Sequence, residues 1–372
     1  MGVSRKKGAA TDRRGVLICG AYGHGNAGDE AILEAIIAEM RGIDPDMPIT
    51  VLSRRPEDTS KHFGVDSLHT FDFRGMLKVM RDTKLYINGG GSLIQDVTSN
   101  RSLWYYLYTI AAAKKLGCRV IMYGCGIGPV ERFGNRRLVC SVLNRYVDVI
   151  TLREHNSLDE LRDFGVTRPE VILSSDPALS LTPADSASID TAMLELGLDL
   201  NVGYVCFTLR RWPGFNERAA CFSEVARHAY DKHGLIPVFL SINHNNDGDA
   251  SDLAVAPLDG IPYHVLRNPI DPSLAIGIMS RMTAVVSMRL HGLIFAARVG
   301  TPTVGVSYDP KVSAFLDYIG NDTYLSLDEI SGDTLCSLLD QALEHGRDAE
   351  RVEALFEKEL LNVEAARKLL SN

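Results

Sequence analysis

The sequence predicts an α/β protein of two Rossmann-like, doubly wound domains facing each other across a cleft, and three observations carry this reading. Short apolar runs alternate with amphipathic segments along the chain, the pattern of strand, helix, strand units that build a parallel sheet. The alternation lapses once, over residues 183–200, where the text turns polar and rich in Ala, Ser and Asp behind Pro183, and then restarts. The length of 372 residues also exceeds the roughly 250–300 at which single cores stop growing. The expected organisation is a mobile basic tail at 1–14, an N-terminal domain at 15–182, a linker at 183–200 and a C-terminal domain at 201–372 whose last helix is long enough to cross back.

In chain order, the first half offers strands at 15–19, 49–53, 84–88, 119–123, 148–152 and 171–174, each rich in β-branched, aromatic or other apolar residues. Between the first two, Ile32, Ala35, Ile36, Glu39 and Met40 fall at helical spacing over 29–40. The second half offers strands at 203–209, 236–241, 263–266, 284–287 and 303–306, then three helices beginning near Lys311, Asp333 and Asp348. The helix at 103–116, rich in Tyr and holding Trp104, reads as core, with an interface or a lipid-facing patch as the alternative.

Composition narrows the function classes. Hydrophobic residues at 45% and charged residues at 23% are ordinary globular usage, against disorder or a fibrous repeat. A formal net charge of -8 leaves no broad basic footprint for nucleic acid, so any anion site has to be local. The cysteines at 19, 118, 125, 140, 206, 221 and 336 lack metal-ligand spacing and mostly sit in apolar runs, which points to a reducing, cytoplasmic setting and no metal. No apolar run approaches the ~18 residues of a membrane span, and no apolar run follows the basic tail as it would in a secretory signal. That tail, with Arg5, Lys6, Lys7, Arg13 and Arg14, weakly favours anionic lipid and is compatible with peripheral association at the inner membrane face.

In open parallel sheets, ligands bind outside the carboxyl ends of the strands, and the unusual residue clusters all follow expected strands. The first, GAYGHGNAGDE at 20–30, has glycines that let backbone amides approach a ligand at a helix start. Its Asp29 and Glu30 would repel a pyrophosphate, which argues against NAD(P). Asn26 and Asp29 suit sugar hydroxyls, or Asp29 only caps the helix. In NGGGSLIQD at 88–96 the glycines clear a surface for a ligand or a crossing segment, and Gly90, Gly91, Gln95 and Asp96 join Asn26 and Asp29 as candidate acceptor contacts. GCGIGP at 124–129 repeats that logic; Cys125, without a His beside it in sequence, fits packing better than nucleophilic catalysis. Arg153, in LREHNS, is placed either to clamp a carboxylate or phosphate or to pair with Glu154 or Asp176. In SMRLHG at 287–292, Arg289 and His291 stand where a strand hands over to a helix, an anion clamp beside an acid or base. With Lys311 after the next strand, Arg153, Arg289, His291 and Lys311 can converge on one cationic pocket in an acidic protein.

On these residues the chain resembles the polysaccharide pyruvyl transferase family, in particular its CsaB-like branch. The resemblance rests on the joint order, over most of the chain, of GxxGxGNxGDE, GGGSLIQD, GxGIGP, LRExxS, SMRLHGLIFA and GVSYDPK. It implies a GT-B-like fold and phosphoenolpyruvate as donor and co-substrate, with no cofactor and no metal. It also implies a sugar diol as acceptor, N-acetylmannosamine of a lipid-linked cell-wall precursor, which leaves as a pyruvic acid ketal. By similarity, Arg153, Arg289, Leu290, His291 and Lys311 bind the donor, with His291 and Arg289 catalytic. His291 is then the general acid or the stabiliser of the leaving phosphate, and Asp29 or Asp96 the base. Cys125 departs from the family, where a larger polar residue such as Gln is expected, which bears on acceptor choice. The alternatives are a GT-B nucleotide-sugar glycosyltransferase on the same architecture and a catalytically silent glycan-binding protein.

Overall fold

The computed structural model describes residues 13–347 and 349–371, so the basic tail, apart from Arg13 and Arg14, lies outside the described residues. Thirteen strands form two parallel sheets. The first holds β1 (Val16–Cys19), β2 (Ile49–Ser53), β3 (Asp66–His69), β4 (Leu85–Ile94), β5 (Arg119–Ile127), β6 (Val149–Leu152) and β7 (Glu170–Leu173), ordered β3-β2-β1-β4-β5-β6-β7. The second holds β8 (Tyr204–Thr208), β9 (Ile236–Leu240), β10 (His264–Leu266), β11 (Ala284–Ser287), β12 (Thr303–Ser307) and β13 (Tyr324–Ser326), ordered β10-β9-β8-β11-β12-β13. Each is a doubly wound, Rossmann-like arrangement in which the strand order reverses beside its first strand, at β1/β4 and β8/β11, which opens a crevice at the carboxyl ends. Two strands escape the sequence reading, β3 and β13. Both are short edge strands, with sequences DSLH and YLS and no fully buried residue, so they carry no apolar run to betray them.

Alternation along the strands explains the layering. Val16 and Ile18 of β1 point into the seam between the sheets, while Leu17 and Cys19 face the outer helices. Tyr204 and Cys206 of β8 likewise face the seam, and Val205 and Phe207 the outer layer. The seam core is continuous across both sheets: it takes Ile32 and Ile36 from helix Ala27–Ile43, Phe295 from helix Leu290–Arg298, and Leu355 and Ala366 from helix Ala349–Ser371. Residues 183–200 are not a plain linker. Helix Ser186–Glu195 occupies them, capped by Asp185, whose carboxylate accepts from Ser188 N at 3.0 Å, and Ile189 packs against Gly277. The final helix lies on the first sheet's side, where Asn362 accepts from Ser174 Oγ at 2.6 Å and donates to the Ser175 carbonyl at 2.9 Å.

The two glycine clusters expected to follow strands are instead parts of them, because β4 runs on to Ile94 and β5 to Ile127. Bare backbone there admits crossing protein: a Cβ on Gly89 would stand 2.1 Å from Tyr22 Oη, on Gly90 2.8 Å from Ile32 Cγ2, and on Gly124 2.4 Å from Pro177 Cδ. Of the two readings left open for these glycines, close packing holds at these three positions. No helix among the described residues is long and apolar enough to cross a membrane.

Candidate functional site

The ends of strands from both sheets deliver the site. After β1, Asn26 caps helix Ala27–Ile43: its Oδ1 accepts from Gly28 N at 3.2 Å and its Nδ2 donates to Asp29 Oδ2 at 2.6 Å. After β6 comes Arg153, after β11 the Arg289-Leu290-His291 turn, and after β12 Lys311, in a helix capped by Asp309, which accepts from Lys311 N at 3.1 Å. The two halves meet closely here. A Cβ on Gly28 would lie 2.0 Å from His291 Nδ1, so the glycine makes room for the imidazole. Ala27 N donates to the Ile242 carbonyl at 2.9 Å, Asn26 bridges Asn243, and Asn245 Nδ2 donates to the His24 carbonyl at 2.9 Å, so the loop after β1 clasps the loop after β9.

Between these ends lies a cavity of about 220 Å³. Arg153, Arg289, Leu290, His291 and Lys311, the expected donor residues, all line it, as do Asn26, Asp29 and Gly91 from the expected acceptor set. Gly90, Gln95 and Asp96 do not line it, which corrects the grouping expected from sequence. Gly90 is closed over by Ile32; Gln95 Oε1 accepts from Thr98 N at 3.0 Å. Asp96 is a brace: it accepts from Glu131 N at 2.8 Å, Arg132 N at 3.1 Å and Asn135 Nδ2 at 2.7 Å. Burial alone would raise its pKa, but these bonds and the Arg132 charge together hold it below the usual carboxylate range, which makes it a poor base.

Arg153 takes up both pairings that the sequence offered. Its Nε donates to Glu154 at 3.1 Å, Nη1 to Asp176 at 2.7 Å, and Nη2 to Ser92 Oγ at 3.2 Å, which locks a buried guanidinium at the cavity wall. Arg289 is held by Asp247, which accepts from Nε at 3.0 Å and also from Nη2. Sequence reasoning missed Asp247 as a site residue, since it sits in a polar loop, NHNNDGD, far from any motif. It also missed Arg210, one residue after Leu209 beyond β8, which lines the cavity, donates to Tyr308 Oη at 2.8 Å and lies 4.8 Å above the Trp212 ring. Its place after a strand end, beside another Arg, was the available signal.

Burial drives the electrostatics. It pushes the His291 pKa down to about 4; Asp176, 3.9 Å from Nε2, pulls it back, and the charges of Arg153, Lys311 and Arg289 push it down further. The ring is therefore neutral at pH 7, and its buried Nε2 has no hydrogen-bond partner. Burial pushes Asp29 up to about 6, against the Asn26 hydrogen bond and the charges of Arg153 and Lys311. Glu30, behind it, is pushed up to about 7 by burial, against the hydrogen bond from Gly23 N. Cys125 is a buried thiol pushed up to about 12 by burial, a packing group. The arrangement presents several fixed cations to a small anion, with an imidazole and a carboxyl near neutrality on its walls.

Comparisons with known proteins agree with this architecture. The family described as polysaccharide pyruvyl transferase matches residues 26–310. The amylovoran biosynthesis protein AmsJ of Erwinia amylovora is 22% identical, over 82% of this chain and 86% of that protein. Among solved structures, UDP-GlcNAc 2-epimerase from Methanocaldococcus jannaschii matches with a TM-score of 0.62 at 11% identity, covering 90% of this chain and 93% of that one. ADP-heptose LPS heptosyltransferase II of E. coli matches with a TM-score of 0.51 at 13% identity, covering 89% and 99%. At such identities these two speak for the fold alone, two Rossmann-like domains of the GT-B kind.

Proposed function

Since the chain belongs to the polysaccharide pyruvyl transferase family, we propose that it transfers the pyruvyl group of phosphoenolpyruvate onto two hydroxyls of a glycan as a cyclic ketal. The observation that carries this reading is the convergence of Arg153, Arg210, Arg289 and Lys311 on one small cavity that also holds His291 and Asp29. Phosphoenolpyruvate brings a carboxylate and a phosphate, and preorganised cations are what such a ligand needs in place of water. In this scheme Arg289 and Lys311 hold the phosphate and Arg153 the carboxylate.

The chemistry balances without a redox step. The two acceptor hydroxyls give up two protons, and one ends on the methylene carbon and one on the phosphate: the first hydroxyl adds to the carbon beside the protonated methylene, the bond from that carbon to the phosphate oxygen breaks as inorganic phosphate leaves, and the second hydroxyl closes the ketal. His291, neutral and with a free Nε2, gains basicity when a phosphate arrives beside it and delivers its proton to the departing phosphate. Asp29, held by Asn26 and poised at about 6, takes the proton of the attacking hydroxyl. N-acetylmannosamine of a lipid-linked precursor, met in the cytoplasm, is the acceptor this reading favours, and AmsJ, named for amylovoran biosynthesis, supports glycan chemistry.

The test is thermal stabilisation by phosphoenolpyruvate beside UDP-, GDP- and CDP-sugars, since a ligand of the native state stabilises it by about 2.7 kcal/mol at a hundred times its Kd and so raises the melting point. Stabilisation by phosphoenolpyruvate alone, lost in both Arg289→Ala and Lys311→Ala, is expected. Stabilisation by a nucleotide sugar and not by phosphoenolpyruvate overturns the reading in favour of a glycosyltransferase.

A further inference from the structure

Three consecutive helices on the outer face of the first sheet, Phe73–Asp82, Asn100–Lys115 and Phe133–Tyr146, carry a surface that the reaction does not use. Its large side chains are apolar and exposed: Phe71, Phe73, Trp104, Tyr108 and Phe133 have between 42% and 72% of their surface in solvent. Phe71, Phe73 and Tyr108 touch, and Trp104 links them to the helix that Phe133 opens. The rings of Phe71 and Phe73 lie 6.3 Å apart, those of Phe73 and Tyr108 5.8 Å, and Trp104, one turn from Tyr108, donates to Asn135 Oδ1 at 3.1 Å in the first turn of the third helix. Isolated exposed rings need no explanation, but a connected set is the mark of an interaction surface.

The charge around these rings is mostly positive: Asp72, between Phe71 and Phe73, and Glu131, two residues before Phe133, are exposed acids among the exposed Arg54, Arg74, Arg101, Arg132 and Arg137. Each of the three helices carries three Lys or Arg residues, and Asp82 is their single carboxylate, in a chain whose net charge is -8. None of the three has an acidic residue in its first turn, and Arg74, Arg101 and Arg136 stand there instead, where the helix dipole disfavours a cation. Lys114 is spent on Asp148 at 2.5 Å and Arg136 stacks on Phe164 at 5.0 Å, yet Arg74, Arg101 and Arg137 remain exposed beside the rings. Arg54 lies 4.9 Å over Phe71 and Arg137 5.1 Å over Phe133. Arginines thus outnumber the acids Asp72, which caps the first helix, and Glu131 on this face, around rings with an apolar body.

We propose that this face docks on an anionic phospholipid bilayer, with Phe71, Phe73, Trp104, Tyr108 and Phe133 at headgroup depth and the arginines on the lipid phosphates. Position supports the assignment. Phe73 and Phe133 open their helices and Trp104 sits one turn in, so the rings lie at the carboxyl-end edge of the sheet, the edge on which the cavity opens. The bilayer then faces the rim of the cleft, so that a glycan carried on a lipid reaches the cavity without leaving the membrane. The docking itself does not depend on which donor the cavity takes.

The test is co-sedimentation of the full chain with vesicles of phosphatidylcholine alone and of phosphatidylcholine with phosphatidylglycerol, over a salt series. Binding to the anionic vesicles only, weakening with salt, is expected. Each basic group near such a surface strengthens binding roughly fivefold, so Phe133→Ser/Arg137→Ser, an exposed stacked pair, lowers it at least about tenfold with the melting temperature unchanged. Absence of binding to either vesicle overturns the proposal. Binding unchanged in the double variant does so too, by assigning the lipid contact to another part of the chain. A dimer dissolved by the same substitutions, without vesicle binding, overturns it in favour of a second copy of the chain as the occupant.

Discussion

Replacing Asp247 by Ala removes the carboxylate that takes two hydrogen bonds from Arg289 and one, at 2.8 Å, from Asn243 N. The side chains of Asp247 and Arg289 are 1% and 10% exposed, so solvent screens their attraction little. Loss of one partner from a buried ion pair costs about 3–5 kcal/mol, because the remaining charge is left without a counter-ion. Here that charge would face Arg153, Arg210 and Lys311 across the cavity. Water in the cavity relieves part of the cost, so we take about 3 kcal/mol, a fall in melting temperature of about 4 °C for a chain of this length unfolding as one unit. Thermal unfolding followed by circular dichroism at pH 7 measures it, with Asp249→Ala as control, since the Asp249 side chain is 75% exposed. Inorganic phosphate should restore more stability to Asp247→Ala than it adds to the wild type, because a bound anion replaces the missing charge. A loss under about 1 kcal/mol, or equal rescue of both proteins, refutes the claim that Asp247 balances Arg289.

Three further outcomes are expected. The folded-state pKa of Asp29 is raised from 3.8 to about 6, so the folded chain binds the extra proton and stability is lost as pH rises through about 6. Asp29→Asn should therefore raise the melting point at pH 8, by the equivalent of about 1 kcal/mol given the open cavity beside it, and leave it unchanged at pH 4; the same gain at both pH values counts against a buried, desolvated carboxyl. Gly28→Ala, which places a methyl 2.0 Å from His291 Nδ1, should keep the helical circular dichroism signal yet lower turnover with phosphoenolpyruvate about a hundredfold, and near-normal turnover would show that the imidazole can move aside. Cys125→Ser should retain turnover within about threefold, and the native thiol should resist iodoacetamide until the chain unfolds; a catalytic thiol would fail both measurements.

What the sequence made legible was whatever leaves a local pattern. Strands such as Ile49–Ser53 and Ala284–Ser287 are apolar runs with clear ends, and SMRLHG announces itself by an Arg and a His at a strand-to-helix handover. What was hidden depends on pairing over distance. Asp247 lies 42 residues from Arg289, and no spacing rule connects them. The glycines at 89, 90 and 124 drew attention for the right reason, a need for bare backbone, but only the fold shows that Tyr22, Ile32 and Pro177 fill the space. Gly28 was quoted inside a motif without a role of its own; its role is set by His291, from the other half of the chain. The edge strand β3 was invisible because polar text in a strand looks like loop, and β13 because a run of three residues is too short to stand out.

The apolar core that runs unbroken through the seam governs how substrates get in. If the halves swung apart as free lobes, they would expose Ile36, Phe295 and Leu290 together, a desolvated surface that water would punish at each turnover. In a molecule stitched in this way, opening at the clasp exposes far less apolar surface than parting the seam. The backbone bond from Ala27 to Ile242 and the Asn245 bond to the His24 carbonyl are the stitches nearest the cavity, and undoing them would unlatch the loops after β1 and β9 while the seam stays dry. Asn26 and Asp29, which line the cavity, thus sit on the one stretch of chain that these stitches hold against the other half.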